Sequence, residues 1–428
     1  MTTGDSTAHG GLQQPRGISG LIRDRFGGLP SSFTILWAGT LVNRAGTFVA
    51  PFLVLYLTQH RHVSGSYVTP ILIGYGVGVL ASSPIGGLLA DRLGRRPTMV
   101  FGLASAASCQ LMLAVADSTA VIALLIVFLG LASDLYRPAA NALVADVVPA
   151  DDRPRAYGLL HWATNLGVPV AALGAGWFAS HNWTVLFLVD AATALVFAGL
   201  VLWKVPANPP TPDEAGQAAQ NPAEPVKLWQ DRGLLGACAI SLVAFAIYFQ
   251  STYAVPLQVV SSGLRSFDYG IMMATNGVLI AVVQPLLGPT LSRIPRQWGL
   301  GAGLLLVGGG IALTGVATNL PVLLFSVAVW SLGEIALAAL LPAVVAELAP
   351  AEARGRYMGA FGASLGLAGV VAPLGVSLFE TEPSLLWTVC VGAAVLLAVV
   401  QGRFFGGNAA VAAADHNGSI NVPGKEEC

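Results

Sequence analysis

The sequence predicts an all-α integral membrane protein with twelve transmembrane helices, arranged as two six-helix repeats. Three observations predict this fold class. The 428 residues are 55% hydrophobic and only 10% charged, whereas a soluble domain has roughly a quarter charged residues. Apolar segments of about 20 residues, the length that crosses a bilayer, follow one another along the chain. The two halves of the chain also share a sequence pattern, which predicts an internal repeat.

The apolar segments divide into two groups of six, separated by a polar, proline-rich stretch. We expect a cytoplasmic N-terminal tail at 1–32, an N-terminal six-helix bundle at 33–204, a cytoplasmic linker at 205–231, a C-terminal six-helix bundle at 232–403 and a cytoplasmic C-terminal tail at 404–428. Within these bounds the predicted spans are 33–58, 68–90, 97–116, 119–147, 156–180, 183–203, 233–259, 269–291, 298–317, 320–348, 356–379 and 384–403.

The internal repeat can be read directly. Residues 144–158 read VADVVPADDRPRAYG and residues 345–359 read VAELAPAEARGRYMG, a shift of 201 positions. The same shift carries Gly87 onto Gly288. Parallel repeats of this kind are typical of secondary transporters, whose substrate site lies near the midplane between the two halves.

Basic residues predict the orientation. Apart from Arg44, Arg61, Arg137 and Arg265, every one of the 21 lysines and arginines falls in the tails or in the loops that follow even-numbered helices. Lysine and arginine mark cytoplasmic loops. We therefore expect a multi-pass protein of the cell inner (plasma) membrane with both termini in the cytoplasm.

The loop after the second span has a distinctive pattern. Residues 86–96 read GGLLADRLGRR. Gly87 lacks a Cβ, so we expect a neighbouring helix to approach it closely. Gly94 permits a tight reversal, and Asp91 can pair with an arginine or accept backbone N–H groups. In the second repeat Ser292 replaces this aspartate, so the carboxylate of this loop exists only in the first half.

This loop resembles the cytoplasmic motif between helices two and three of the major facilitator superfamily. The resemblance covers about residues 33–403 and implies a major facilitator fold that works by alternating access. It also implies that the loop is a conformational gate. The candidate gate residues are Gly87, Asp91, Arg92, Gly94, Arg95 and Arg96.

Ionisable side chains inside the spans are the candidates for proton coupling, because a charge at membrane depth is costly and usually functional. Asp134 lies in helix four and Glu334 in helix ten. Burial in a low dielectric favours the protonated form of a carboxylate, as proton exchange requires. The residues around Glu334, WSLGEI, resemble the helix-ten pattern of drug/proton antiporters of the superfamily.

Two arginines complete the proton-coupling candidates. Arg44 in helix one needs an anion, which could be a carboxylate of helix four or ten, or the substrate. Arg137 lies three residues after Asp134, so these two side chains could instead form an ion pair on one helix face. The sequence leaves both alternatives open.

Substrate-binding candidates lie on helices seven and eight. Aromatic side chains build an adaptable apolar wall, and amides orient a ligand. The candidates are Tyr248, Gln250, Tyr253, Asn276 and Gln284.

These features predict a proton-coupled exporter of small amphipathic compounds or drugs, including antibiotics, embedded in the lipid bilayer. Alternatives within transport are proton-coupled uptake of a metabolite or peptide, and export of one specific natural product. A non-transporting receptor or lipid-handling protein is a further alternative. We expect no enzyme activity, no cofactor, no metal site and no nucleic-acid partner, and we expect a monomer by resemblance. The four cysteines form no disulfide or metal pattern.

Overall fold

The structure is a computed structural model, and it describes residues 27–206, 228–291, 293–350 and 353–418. These residues form helices joined by turns, and none of them lies in a β-strand. Most of the predicted N-terminal tail, the centre of the linker and the end of the C-terminal tail lie outside the described residues.

The described part of the chain contains twelve long helical spans, as predicted. We number them α1 to α12. Their bounds are Ser31–His60, Gly65–Leu93, Arg95–Val115, Thr119–Val147, Arg153–Ala179, Trp183–Lys204, Arg232–Ser261, Ser266–Leu291, Arg296–Val316, Leu320–Leu348, Arg354–Thr381 and Pro383–Gly418.

Eleven of the twelve described spans are long and apolar enough to cross a membrane. The other is α5, which is 27 residues long but carries arginine, histidine and asparagine side chains along its length. The last helix, α12, continues to Gly418. The tail expected at 404–428 is therefore helical as far as that residue.

Four spans are interrupted near their middle. The breaks lie at Gly46–Phe48 in α1, Asp134–Leu135 in α4, Phe249 and Ala254 in α7, and Ala372–Pro373 in α11. Proline explains three of them, because its ring lacks an N–H and clashes with the carbonyl four residues earlier. Pro51, Pro138 and Pro256 each stand two to five residues after a break in α1, α4 and α7. In α11 the proline, Pro373, lies within the break itself.

Helices α1–α6 and α7–α12 form two halves that meet along α2, α5, α8 and α11. We call the end of the bundle that carries Asp91, Asp146 and Glu347 the motif end, and the end that carries His60 and Ser261 the far end. Because consecutive helices alternate in direction, these residues mark opposite faces of the membrane.

The halves are held together toward the far end. Thr69 of α2 and Ser377 of α11 share a hydrogen bond of 2.7 Å between their hydroxyls. A Cβ added at Gly176 of α5 would lie 3.0 Å from the Cα of Gly270 in α8, so these two helices touch through their backbones. Small residues permit such close approach between membrane helices.

Candidate functional site

A cavity of about 330 Å³ lies at mid-depth between the two halves. Helices α1, α2, α3, α4 and α6 supply its first wall, and α7 and α11 supply the second. The breaks in α1, α4 and α7 all fall at this depth. Each break frees backbone groups from the helix ladder, and a protein-lined cavity is where a membrane protein can place such groups.

The polar side chains of the cavity come mainly from the first half. They are Asn43, Arg44, Thr47, Tyr75, Gln110, Ser133, Asp134 and Asp190. The second half contributes Phe249, Thr252 and Tyr253 beside small glycines of α11. One wall therefore offers charges and hydrogen bonds, and the other offers aromatic surface.

Asp134 is shared between two arginines. Its Oδ1 lies 3.4 Å from Nη2 of Arg44, and its Oδ2 lies 3.2 Å from Nη1 of Arg137. Arg44 also donates to the hydroxyl of Tyr136 at 3.3 Å, but its Nε is buried without a hydrogen-bond partner. Asp134 is therefore the carboxylate of helix four that pairs with Arg44, and it also forms the ion pair with Arg137 on its own helix.

Glu334 has a different environment, away from this cavity. Its carboxylate accepts a hydrogen bond of 2.8 Å from the side-chain amide of Asn276 in α8 and interacts with the hydroxyl of Tyr248 in α7. The amide of Asn276 also donates to Ser331 at 3.0 Å. No ion pair of the described residues includes Glu334.

The residues around Asp134 and those around Glu334 occupy related positions in the internal repeat. The shift of 201 carries Tyr75 onto Asn276 and Ser133 onto Glu334, and the side chains of Tyr75 and Ser133 interact with each other. The equivalent of Glu334 is thus the serine beside Asp134, not Asp134 itself. Equivalent positions of the two halves therefore carry different polar groups: hydroxyls in the first half, and an amide and a carboxylate in the second.

The substrate-binding candidates separate into four locations. Tyr253 lines the cavity, whereas Tyr248 and Asn276 surround Glu334. Gln250 is buried between α7 and α11, where its amide donates to the carbonyls of Ala246 and Ala372, both at 3.0 Å. That amide therefore stabilises the break in α11. Gln284 is half-buried in α8, outside the cavity lining.

The substrate-binding candidates from the sequence lie on α7 and α8, and in the first half only Arg44 was considered as a partner of the substrate, although most polar groups of the cavity lie in that half. A signal was available for Gln110, a lone amide within the apolar helix α3. Asp190 was visible as an intramembrane carboxylate. Its Oδ2 accepts the N–H groups of Phe48 and Val49 at 3.0 and 3.1 Å, so it caps the helix segment that follows the break in α1.

The loop with the candidate gate residues lies at the motif end. Gly94 has φ of 92°, in the left-handed region that favours glycine, and makes the reversal between α2 and α3 as predicted. Asp91 pairs with Arg95 at 3.5 Å within its own loop, and Arg96 donates to the carbonyl of Leu202. Arg92 is exposed.

The expectation for Gly87 was wrong. A Cβ at Gly87 would meet nothing within 4 Å, whereas a Cβ at Gly86 would lie 2.4 Å from the carbonyl oxygen of Leu135. The neighbouring helix, α4, therefore approaches the preceding glycine. Successive helical residues point about 100° apart, so only one of two adjacent glycines can face a given neighbour.

Comparisons with known proteins agree with this architecture. The family model described as Major Facilitator Superfamily matches residues 36–373 and 241–412. The chain is 28% identical over 334 residues to the multidrug resistance protein MdtH of Cronobacter sakazakii, which covers 74% of this chain and 81% of that protein. It is 23% identical over 371 residues to a Na(+), Li(+), K(+)/H(+) antiporter of Planococcus maritimus, covering 78% and 86%.

Solved structures share the fold. A POT family transporter in complex with 5-aminolevulinic acid aligns with a TM-score of 0.73 at 15% identity, covering 89% of this chain and 97% of that one. The nucleoside transporter NupG aligns with a TM-score of 0.72 at 13% identity, covering 88% and 100%. At such identities the likeness concerns the fold alone.

Proposed function

Because the chain belongs to the Major Facilitator Superfamily, we propose that it is a secondary active transporter that exports small amphipathic compounds or drugs in exchange for protons. Transport proceeds by alternating access, with the two halves rocking about the cavity between them. The similarity to a multidrug resistance protein and to a cation/proton antiporter supports this class of activity.

The environment of Glu334 is the observation that carries the proposal. Its partners, Asn276 and Tyr248, are neutral hydrogen-bonding groups. A carboxylate in such a setting can gain or lose a proton without leaving an unpaired cation behind. Asp134 differs, because its protonation would leave Arg44 and Arg137 without a counter-charge. We therefore assign proton exchange to Glu334 and assign to Asp134, Arg44 and Arg137 the charge network that responds to it.

The gate and the orientation belong to the same proposal. We place both termini and the motif end on the cytoplasmic side of the inner membrane, in accordance with the distribution of arginine and lysine. The described contacts between the halves then lie on the outer side, as in an inward-facing state. In the outward-facing state the loop that contains Asp91 and Arg95 closes the motif end against the second half. We propose that the transporter works as a monomer.

Transport in inside-out membrane vesicles tests the proposal. An imposed proton gradient should drive accumulation of cationic dyes and antibiotics by the wild-type protein, and Glu334→Gln should abolish it. Glu334→Gln should still exchange substrate across the membrane in the absence of a gradient, because only coupling is lost. Glu382→Gln, the same change at an exposed loop position, is the matched control.

Two results would overturn the proposal. One is a folded wild-type protein that accumulates none of the compounds, in which case uptake of peptides and metabolites by right-side-out vesicles becomes the next assay. The other is a Glu334→Gln variant that accumulates substrate as well as the wild type, because the proton would then travel elsewhere.

A further inference from the structure

The cavity wall formed by α3 and α6 contains two polar side chains that the transport mechanism above does not use. Asp190 of α6 and Gln110 of α3 are 3% and 5% exposed, and both line the cavity. A carboxylate and an amide buried this deeply in a membrane protein are costly unless their atoms find partners. The hydrogen bonds that these two side chains already make therefore indicate which ligand groups each of them can still bind.

The hydrogen bonds of Asp190 come from neutral donors. Its Oδ2 accepts the backbone N–H groups of Phe48 and Val49, and the side-chain amide of Gln110 interacts with the carboxylate. None of the ion pairs among the described residues includes Asp190. The nearby guanidinium of Arg44 is hydrogen-bonded to Asp134 and Tyr136 instead. The wall thus presents a carboxylate that has no cation bonded to it.

Gln110 leaves one atom unused. Its amide nitrogen is engaged by Asp190, but its Oε1 is buried without a hydrogen-bond partner. A buried acceptor without a donor is destabilising, so its presence at a cavity wall needs an explanation. A ligand N–H group at this wall would satisfy Oε1 and lie beside the carboxylate at the same time.

The opposite side of the cavity suits the rest of such a ligand. Phe249 and Tyr253 of α7 provide aromatic surface. Aromatic faces attract a cation that has lost its water, and they also stack on flat ring systems. The volume of about 330 Å³ lies at the lower end of the range for small-molecule sites, roughly 300–1,000 Å³.

We propose that Asp190 and Gln110 determine the specificity of the cavity for cationic aromatic compounds that carry N–H groups. The carboxylate of Asp190 selects the positive charge, and Oε1 of Gln110 accepts a hydrogen bond from the amino group. The aromatic body of the compound packs against Phe249 and Tyr253. This inference rests on the proposed function, since it names the substrate class of the same transporter.

Equilibrium binding to the purified protein tests the inference without any proton gradient. The two probes are ethidium, an aromatic cation with two amino groups, and tetraphenylphosphonium, an aromatic cation without an N–H. Gln110→Met keeps the length of the side chain and removes its acceptor. It should weaken ethidium binding by at least about fivefold, a loss of about 1 kcal/mol, and change tetraphenylphosphonium binding less than about twofold.

Asp190→Asn removes the charge but keeps an oxygen that can accept the N–H groups of Phe48 and Val49. It should weaken the binding of both probes, because both are cations. Ser108→Ala is the control: this residue lies on the exposed face of α3 and hydrogen-bonds only within its own helix, to Ala104. Neither probe should respond to it.

The inference is overturned if Gln110→Met leaves ethidium binding unchanged, if it weakens both probes equally, or if the wild-type protein binds neither probe. Failure of the proposed function is a separate result. In that case ethidium binds with the expected dependence on Gln110 and Asp190, but a proton gradient does not drive its accumulation in vesicles.

Discussion

Arg95 donates a hydrogen bond of 3.1 Å from Nε to Oδ2 of Asp146, and this pair joins the start of α3 to the end of α4. The repeat reproduces the contact 201 positions later, where Arg296 pairs with Glu347. The pairs are not equal, because Arg95 also donates to the carbonyl of Ala90 at 3.0 Å. Its side chain is 21% exposed, against 44% for Arg296.

We therefore expect Arg95→Ala to destabilise the protein more than Arg296→Ala. Loss of the half-buried pair and the carbonyl contact should cost about 1–2 kcal/mol, whereas an exposed pair is worth about 0–1 kcal/mol. The midpoint of thermal unfolding in detergent measures both variants. Equal midpoints would show that the Ala90 contact contributes nothing.

Two of the intramembrane carboxylates, Asp134 and Glu334, should respond differently to neutralisation. Glu334→Gln keeps the shape of the side chain and can still hydrogen-bond to Asn276 and Tyr248, so its unfolding midpoint should stay close to that of the wild type. Asp134→Asn leaves Arg44 and Arg137 without their anion, and breaking such a pair costs up to about 3–5 kcal/mol when it is fully buried. Because Asp134 is 27% exposed, we expect about 1–3 kcal/mol.

A second substitution checks the reason for that loss. Adding Arg44→Gln to Asp134→Asn removes one of the unpaired cations, so the double variant should be less destabilised than the sum of the two single variants. Simple additivity of the three unfolding midpoints would contradict the charge-pair explanation.

Adjacent glycines near the motif end of α2 provide a matched pair of variants. Gly86→Ala places a methyl group 2.4 Å from the carbonyl oxygen of Leu135 and forces α2 and α4 apart, at a cost of about 1–3 kcal/mol. Gly87→Ala meets open space. It should be neutral, or stabilising by up to about 1 kcal/mol because alanine favours the helix. A reversed order of the two midpoints would mean that α2 is rotated relative to this description.

Asp231 should make stability depend on pH. This residue precedes α7, and its carboxylate accepts hydrogen bonds from the Tyr357 hydroxyl at 2.6 Å and from the N–H groups of Gly233 and Leu234. The bond from Tyr357, followed by the two backbone bonds, holds the pKa of Asp231 below its ordinary value. The stabilisation is thus complete above the unfolded-state pKa of about 4 and is lost as the pH falls through the lower folded-state value.

The unfolding midpoints of wild type and Tyr357→Phe measure this effect. At pH 7 the variant should be less stable by about 1 kcal/mol, and the difference should shrink once the pH is well below about 4. Asp231→Asn is the control, because it has no carboxylate to titrate. A Tyr357→Phe difference that stays constant with pH would show that the tyrosine acts through packing alone.

The sequence by itself determined the twelve helices, the family and the positions of the intramembrane charges. Hydropathy is a property of successive residues, so it can be read without knowing which helices are neighbours. The 201-residue shift can also be read without knowing which helices are neighbours, and it aligns Arg95 with Arg296 and Asp146 with Glu347. For the same reason the reversal at Gly94 was predictable from the loop pattern.

Only the tertiary structure decided which faces of these helices meet. Whether Gly86 or Gly87 contacts α4 depends on a rotation of about 100° about the helix axis, and the sequence motif contains both glycines. The partners of Asp134, Glu334 and Asp190 likewise come from other helices, distant in the chain. The polar wall of the cavity lies on the first half because α1, α3 and α6 turn their few polar side chains toward one another, and that orientation results from packing of the whole bundle.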